Sequence, residues 1–503
     1  MQVHTIVVGA GSGGAVVAHR LSERSDRDVL LIEAGPDYTP KELPEPLANG
    51  RLNAFTHDWG HWHTPARGQI RKPLPRGQVV GGSSAVNTCI AIRALPRDID
   101  EWAARGLSEW TWEQALPAFC AIEADQDFDT PWHGTDGPLP LRRHPASEQG
   151  TWHSAFLQAA RDAGHPACED HNNPNTPEGA GPHAMNKRNG RRISAAEAWL
   201  TPSVRARDNL SLLTEARVLH VRFEGDRAAG VAVEHNGTVR WIGAQRVVLC
   251  AGAIQTPRLL MRSGIGPQAE LERLGVQRRV DLPGLNRQLL DHPGFAFFLR
   301  PRRAGVYDRE CGLIQAALRV SIGDAPSHDV QIQAGSFLPI GRKVFPLVSM
   351  MAMLGKPRGT GTIRWPSLDD GVQPAIDSHF LDDPHDRARA VTALQVAYGL
   401  TQEKAMRDLA RPFLPPRFVL RDSARLGRWI RWFCDSGYHP SGTAPMGTED
   451  DPHAVVDGRG RVHGTEGLYV ADASIMPTIP TGNIHLTTLM IGERIGCWLR
   501  DDG

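Results

Sequence analysis

The chain has 503 residues, 41% of them apolar, and its 56 lysines and arginines are matched by 56 aspartates and glutamates. That length predicts two domains rather than one ordinary core. The charge balance leaves no overall basic field for nucleic acid, and no run of about 18 apolar residues is present to span a membrane.

The opening "HTIVVGAGSGGAVVAHRLSE" reads as a buried strand, a glycine turn and an amphipathic helix, and "DVLLIEAG" as a second strand ending at Glu33. With a strand beginning almost at residue 1, no signal peptide fits in front of it. Seven scattered cysteines, odd in number and never spaced C-x-x-C, fit a reduced, cytoplasmic protein without a disulfide framework. Gly9, Gly11 and Gly14 have the G-x-G-x-x-G spacing. The first permits a tight turn, the second lets a pyrophosphate approach the backbone, and the third allows close helix–strand packing. Phosphates then sit on the helix N-terminus, and Glu33 accepts from an adenosine ribose hydroxyl. The flanking strands and the acid at the right distance make this signal strong for an ADP-containing cofactor.

Further along, "NLSLLTEARVLHVRFEGDRAAGVAVEHNGTVRWIGAQRVVLCAGA" reads as several strands with hairpin signals, closing on a buried strand at Arg246–Leu249. "SHDVQIQAGSFLPI" and "GTGTIRWPS" are predicted strands, "VFPLVSMMAML" a core strand, and "DDPHDRARAVTALQVAYGLTQ" a helix with a charged face. The Met-rich stretch points to an apolar pocket, although methionines at such spacing more often fill a core. Near the end, "GLYVADASIMPTIPTGNIHLTTLMIGERIGCWLR" gives a short buried strand, an Asp at its tip, a loop and a terminal helix. His57, His61 and His63 with Asp58 sit in an aromatic-rich loop whose spacing fits no usual metal site, and His165, Cys168 and His171 look inert. His439, followed by Pro440, is presented from extended or turning backbone.

The glycine motif cannot separate a nicotinamide from a flavin. The separation comes from "RGQVVGGSSAVNTCIAIRALPRDIDEWAARG", "NGRRISAAEAWLTPSVRARDNL", "VVLCAGAIQTPRLLMRSGIGP", "DHPG", "YHPSGTAPMG" and the final "GLYVADASIMPTIPTGNIHLTTLMIGERI". In order and over nearly the whole chain, these resemble the signatures of the glucose–methanol–choline (GMC) oxidoreductases. The resemblance implies an α/β fold with a Rossmann-like FAD-binding domain (1–140, 195–292 and 441–503). A discontinuous substrate domain (141–194 and 293–440) would be built on a mostly antiparallel sheet. It implies an enzyme that oxidises an alcohol to an aldehyde or ketone by hydride transfer to flavin N5, with oxygen or another acceptor taking the electrons.

By the same resemblance, Gly9, Gly11, Ser12, Gly14, Glu33 and Ala34 belong to the ADP site. Gly81, Gly82, Ser83, Asn87, Thr88, Cys89 and Ile90 run along the pyrophosphate and flavin, with Val218 near the adenine and Ala251, Asp472 and Ala473 completing the set. His439 matches the general base and His485 the residue that hydrogen-bonds the same substrate oxygen, a position where the family often has asparagine. Val86 stands where some members carry a flavin-linking histidine, so non-covalent FAD is expected. A neutral imidazole suits removal of a hydroxyl proton. The same fold also serves hydroxynitrile lyases and a light-driven decarboxylase, which a histidine pair does not exclude.

Overall fold

The computed structural model describes residues 2–51, 53–324, 326–340 and 343–502. The apolar runs at the start of the chain become Gln2–Val8 and Val29–Ile32, paired in parallel because the Ser12–Leu21 helix carries the chain back between them. The sheet runs Leu210–Leu213, Val29–Ile32, Gln2–Val8, Thr238–Leu249, Arg227–His235, Ala216–Glu224, with Leu468–Val470 added beside Thr238–Leu249. The strand predicted as Arg246–Leu249 is longer. Its first half, from Thr238, pairs antiparallel with Arg227–His235, and its second half takes Leu468–Val470 in parallel. Four segments distant in sequence thus end side by side. Val8 lies opposite Leu249 and Ile32, and Leu249 lies opposite Val470. The 18-residue Ile484–Asp501 helix packs on the Ser12–Leu21 helix and closes this layer.

A second sheet, antiparallel throughout, runs Ala410–Leu414, Pro293–Pro301, Val348–Leu354, Val330–Gly335, Ala316–Val320, Gly179–Pro182, with Asp435–Ser436 beside Pro293–Pro301. Its period-two alternation is sharp. Val348, Met350 and Ala352 enter a core with Phe295, Phe297 and the Pro384–Leu400 helix, a core separate from the one beneath the first sheet. The opposite face of this sheet looks toward the first. Among the described residues, no helix is long and apolar enough to cross a membrane.

Two segments are joined to this frame by a buried ionic cluster. His133 lies 2.9 Å from Glu123, 3.2 Å from Asp125 and 2.9 Å from Asp170, while Arg93 pairs with Glu123 and Arg143 with Asp125 and Asp170. Despite the cost of burial, the three carboxylates raise the His133 pKa to about 10, so the imidazole is a cation. Three positive groups then meet three negative ones. Glu123, Asp125 and His133 are close enough together to suggest a metal site, but both ring nitrogens of His133 already face carboxylates, Glu123 and Asp170. The His165–His171 segment is likewise satisfied internally: Cys168 Sγ lies 3.2 Å from His171 Nδ1, and His171 Nε2 lies 3.4 Å from the Gly181 carbonyl.

Replacing His133 with alanine leaves three buried carboxylates facing two guanidinium groups, an imbalance worth about 3–5 kcal/mol. The expected result is a clearly lowered melting temperature. The His133 contribution is present below the ordinary imidazole pKa and is lost as pH rises through about 10, so the wild-type and His133→Ala melting curves should converge at high pH.

Candidate active site

The ends of the parallel strands open on one cavity of about 870 Å³ that runs between the two sheets. Gly9, Gly11, Ser12, Glu33, Ala34, Val218, Ala251, Asp472 and Ala473 line one end. Gly82, Ser83, Asn87, Thr88, Ile90 and His485 follow, and His439 with Asn483 stands where the cavity meets the antiparallel sheet. Three expected cofactor residues do not line it. Gly14 is a packing glycine, since a Cβ there would lie 1.8 Å from the Gly9 carbonyl oxygen. Gly81 forms the turn, its N–H donating to the Ala10 carbonyl at 2.8 Å. Cys89 is wholly buried and points away from the cavity lining.

The geometry suits a dinucleotide. Gly11 caps the Ser12–Leu21 helix, and a Cβ on it would meet only the Gly82 Cα, at 3.8 Å, so its open side faces the cavity. Gly82, at φ +52°, is the tighter partner, because a Cβ there would lie 2.7 Å from the Gly11 Cα. The two backbones therefore form a narrow cradle at a helix N-terminus, where anionic phosphate is favoured. Glu33 accepts from the Ala10 N–H and the Gly35 N–H, each at 2.9 Å. Burial without a cation raises its pKa to about 7. Asp472 accepts from Gly252 N–H, the Thr256 hydroxyl, and the Ser474 N–H and hydroxyl, which fixes the start of the Gly252–Arg262 helix against the last strand.

At the histidine end Asn483 meets His439, its Nδ2 3.0 Å from His439 Nε2. His485, the second residue of the terminal helix, directs Nδ1 to Ser12 Oγ at 3.3 Å. Its Nε2 is buried without a partner, and burial lowers its pKa to about 4. The helix begins at Asn483, its N-cap, so the side chain one position before the first turn projects toward His439 and the one two residues later projects along the cofactor cavity. The preference of asparagine for N-caps is the sequence signal that would have picked it out.

His292 was also missed, although "DHPG" contains it. It is fully buried, with Nε2 2.9 Å from the Pro480 carbonyl and Nδ1 2.9 Å from His439 Nδ1. Burial lowers its pKa to about 4, and burial with His292 and Arg76 nearby lowers that of His439 well below the usual range, so both rings are neutral. A carbonyl only accepts, so His292 carries its proton on Nε2 and its Nδ1 is bare. His439 Nδ1–H must then donate to His292, which leaves the His439 Nε2 lone pair pointing at Asn483. Asp291 fixes the same loop: it accepts from the His439 N–H at 2.9 Å and from the Ser436 hydroxyl. Tyr438, just before His439, takes φ +64°, unusual for a non-glycine residue.

The histidines of the His57–His63 segment bond to groups other than His439. His57 contacts the Tyr38 hydroxyl, His61 the Gln373 amide, and His63, in the short Trp62–Thr64 strand, contacts Ser378 and Asp435.

Family models described as GMC oxidoreductase match residues 3–294 and 357–492. The chain belongs to the GMC oxidoreductases. Among its relatives is the 5-(hydroxymethyl)furfural oxidase of Methylovorus sp. (strain MP688), 36% identical over 516 residues, which cover 97% of each chain. Oxygen-dependent choline dehydrogenase 1 of Chromohalobacter salexigens is 34% identical, over 97% of this chain and 93% of that protein. The crystal structure of pyridoxine 4-oxidase from "Mesorbium loti" superposes with a TM-score of 0.90 at 31% identity, covering 98% of each chain. This GMC oxidoreductase is an FAD-dependent enzyme acting on CH–OH donors. The relatives are named for alcohol oxidation, which does not favour the lyase or decarboxylase alternative.

Gly11→Val tests the cradle. The only chain atom near a Cβ at Gly11 is 3.8 Å away, so the polypeptide should fold while the purified protein loses most of its FAD. Full flavin content, read from the absorbance ratio, would place the pyrophosphate elsewhere.

Proposed function

We propose that this GMC oxidoreductase oxidises a small primary alcohol, with His439 Nε2 taking the hydroxyl proton and Asn483 holding the alcohol oxygen. The observation that carries the reading is the hydrogen-bond chain Pro480 carbonyl, His292, His439, Asn483, which leaves His439 Nε2 unprotonated at the cavity, its lone pair held by the Asn483 amide that an alcohol oxygen would displace. When bound, FAD supplies the acceptor for the hydride. Gly9, Gly11, Glu33, Gly82 and Asp472 would hold its ADP half and pyrophosphate. Asn87 to Ile90 and His485 would flank the ring. With Val86 in place of a linking histidine, the flavin is held without a covalent bond.

The alcohol enters with its oxygen between His439 Nε2 and the Asn483 amide. The O–H proton moves to Nε2, and Asn483 Nδ2 donates to the oxygen as negative charge builds on it. His439 Nδ1–H stays bonded to His292, so the ring cannot turn away while Nε2 gains the proton. His485, buried and neutral at the helix start, directs Nδ1 to Ser12 Oγ and lines the same cavity. The names of the relatives support small hydroxymethyl compounds as the substrate class and oxygen as one acceptor.

His439→Ala should bind FAD normally and reduce it with alcohol about 10²–10⁴-fold more slowly under anaerobic conditions. Asn483→Ala should slow reduction by a smaller factor, and His485→Ala should alter the flavin spectrum more than the reduction rate. Because the His439 pKa is lowered, the rate should be flat above about pH 6.5 and fall only on acidification below it, a limb that His439→Ala abolishes. Acid precipitation should release the flavin from the polypeptide. Wild-type reduction by His439→Ala would remove His439 as the base.

A further inference from the structure

The floor of the cavity beyond His439 is the inward face of the antiparallel sheet, and alternation decides its chemistry. Pro293–Pro301 contributes Gly294, Ala296 and Phe298, Val348–Leu354 contributes Ser349, Met351 and Met353, and Val330–Gly335 contributes Gln331 and Gln333. The sequence-based expectation of an apolar pocket is therefore only half met, since two glutamines stand side by side in it. Gln331 is 1% exposed, and neither its Oε1 nor its Nε2 has a hydrogen-bond partner among the described residues. A buried primary amide with both ends unmade is costly unless something else fills the site.

Register places this amide relative to the reacting centre. Gln331 pairs with Met353, and Met353 with Gly294, two residues after His292. Two strand spacings, about 10 Å of backbone, separate the Gln331 strand from the His292 strand. The Met353 sulfur lies 2.9 Å, and His439 Nδ1 3.1 Å, from where a Cβ on Gly437 would sit, so Met353 borders the catalytic loop. The span suits a single ring with substituents at opposite ends.

On its other side Gln331 pairs with Arg319, which is wholly buried. The guanidinium Nη1 reaches the His171 carbonyl at 3.5 Å, its Nε and Nη2 have no partner, and no carboxylate lies within ion-pairing distance of it among the described residues. Gln331 and Arg319 make no bond to each other, but an unpaired buried guanidinium beside it leaves this end of the cavity positive, and the free Gln331 Nε2–H is a donor, so an acceptor oxygen suits both.

We propose that Gln331, backed by Arg319, is the distal subsite for a hydrogen-bond-accepting oxygen, so that the preferred substrates are hydroxymethyl arenes with a carbonyl or carboxylate at the far end of the ring. This rests on the alcohol-oxidising reading and adds the recognition group. Gln331 is a specificity residue, since it touches the substrate away from the reacting carbon.

The test uses the FAD-loaded enzyme and two matched pairs that differ only in a formyl group. One pair is benzyl alcohol and 4-(hydroxymethyl)benzaldehyde, followed by anaerobic flavin reduction. The other is the non-oxidisable pair benzyl methyl ether and 4-(methoxymethyl)benzaldehyde, followed by perturbation of the flavin absorbance. Wild type should favour the formyl member at least about tenfold in each pair. Gln331→Leu should remove that preference through KM and Kd, leaving kcat and the benzyl alcohol parameters nearly unchanged. Gln331→Glu should reverse it, because a carboxylate repels an acceptor oxygen. Equal binding of the two ethers to wild type, or a Gln331→Leu change shared by both members of a pair, overturns the subsite. If neither alcohol reduces the flavin, the oxidation reading fails, while the ether pair still decides the subsite.

Discussion

The parallel strands stop on one rung, and the site depends on that constraint. Val8, Ile32, Leu249 and Val470 lie side by side, so the residues that follow them, Gly9, Glu33, Cys250 with Ala251, and Asp472, emerge together at the carboxyl edge of the sheet. A crevice at that edge is where open parallel sheets bind ligands, because helix N-termini and unpaired backbone N–H groups converge there. Here the Ser12–Leu21 helix supplies the N-terminus, and the Gly11–Gly82 approach supplies the narrow cradle. If the Thr238–Leu249 strand slipped by one residue, its side chains would change faces and Ala251 and Asp472 would leave the cavity.

Against this fixed edge the antiparallel sheet brings the reaction end. Two short loops meet between the sheets: Asp291 and His292 arrive at the start of the Pro293–Pro301 strand, and His439 follows Asp435–Ser436, which pairs with that same strand. Their joining makes an imidazole pair whose protonation is settled by a single backbone carbonyl. The Pro480 oxygen fixes one tautomer and, through it, the other, so the lone pair faces Asn483 without any charged residue needed to set it. Burial keeps both rings neutral, and a neutral imidazole is the form that accepts a proton.

The buried polar groups divide into two kinds. The His133 cluster is complete, with each charge matched and most polar atoms bonded, and its consequence is a firm junction between segments. Gln331, Arg319 and His485 Nε2 are incomplete, and Gln331 and His485 lie on the cavity wall. Incomplete polar groups inside a packed protein are where a ligand's own donors and acceptors belong.

Much of this was legible in the order of the residues. Apolar runs flanking Gly9, Gly11 and Gly14, with Glu33 after the second, have few alternatives because strand length, glycine turn and acid all point to one local unit. His439 stood out through its proline and its motif. The sequence by itself determined an ADP-binding strand–helix–strand unit from local pattern, and the flavin and the two-domain fold through its resemblance to the family. Tertiary structure alone decided which side chain meets His439. Asn483 and His485 are two residues apart, and on a helix start that spacing turns them to different sides, a matter of rotation that composition does not record. It also decided that His292 sets the proton on His439 and that Gln331 faces the cavity while its neighbour Ile332 enters the core. Both follow from pairing between strands far apart in the chain: alternation puts Gln331 and Gln333 on one face of their strand, but only the pairing makes that face a cavity wall and not a solvent surface.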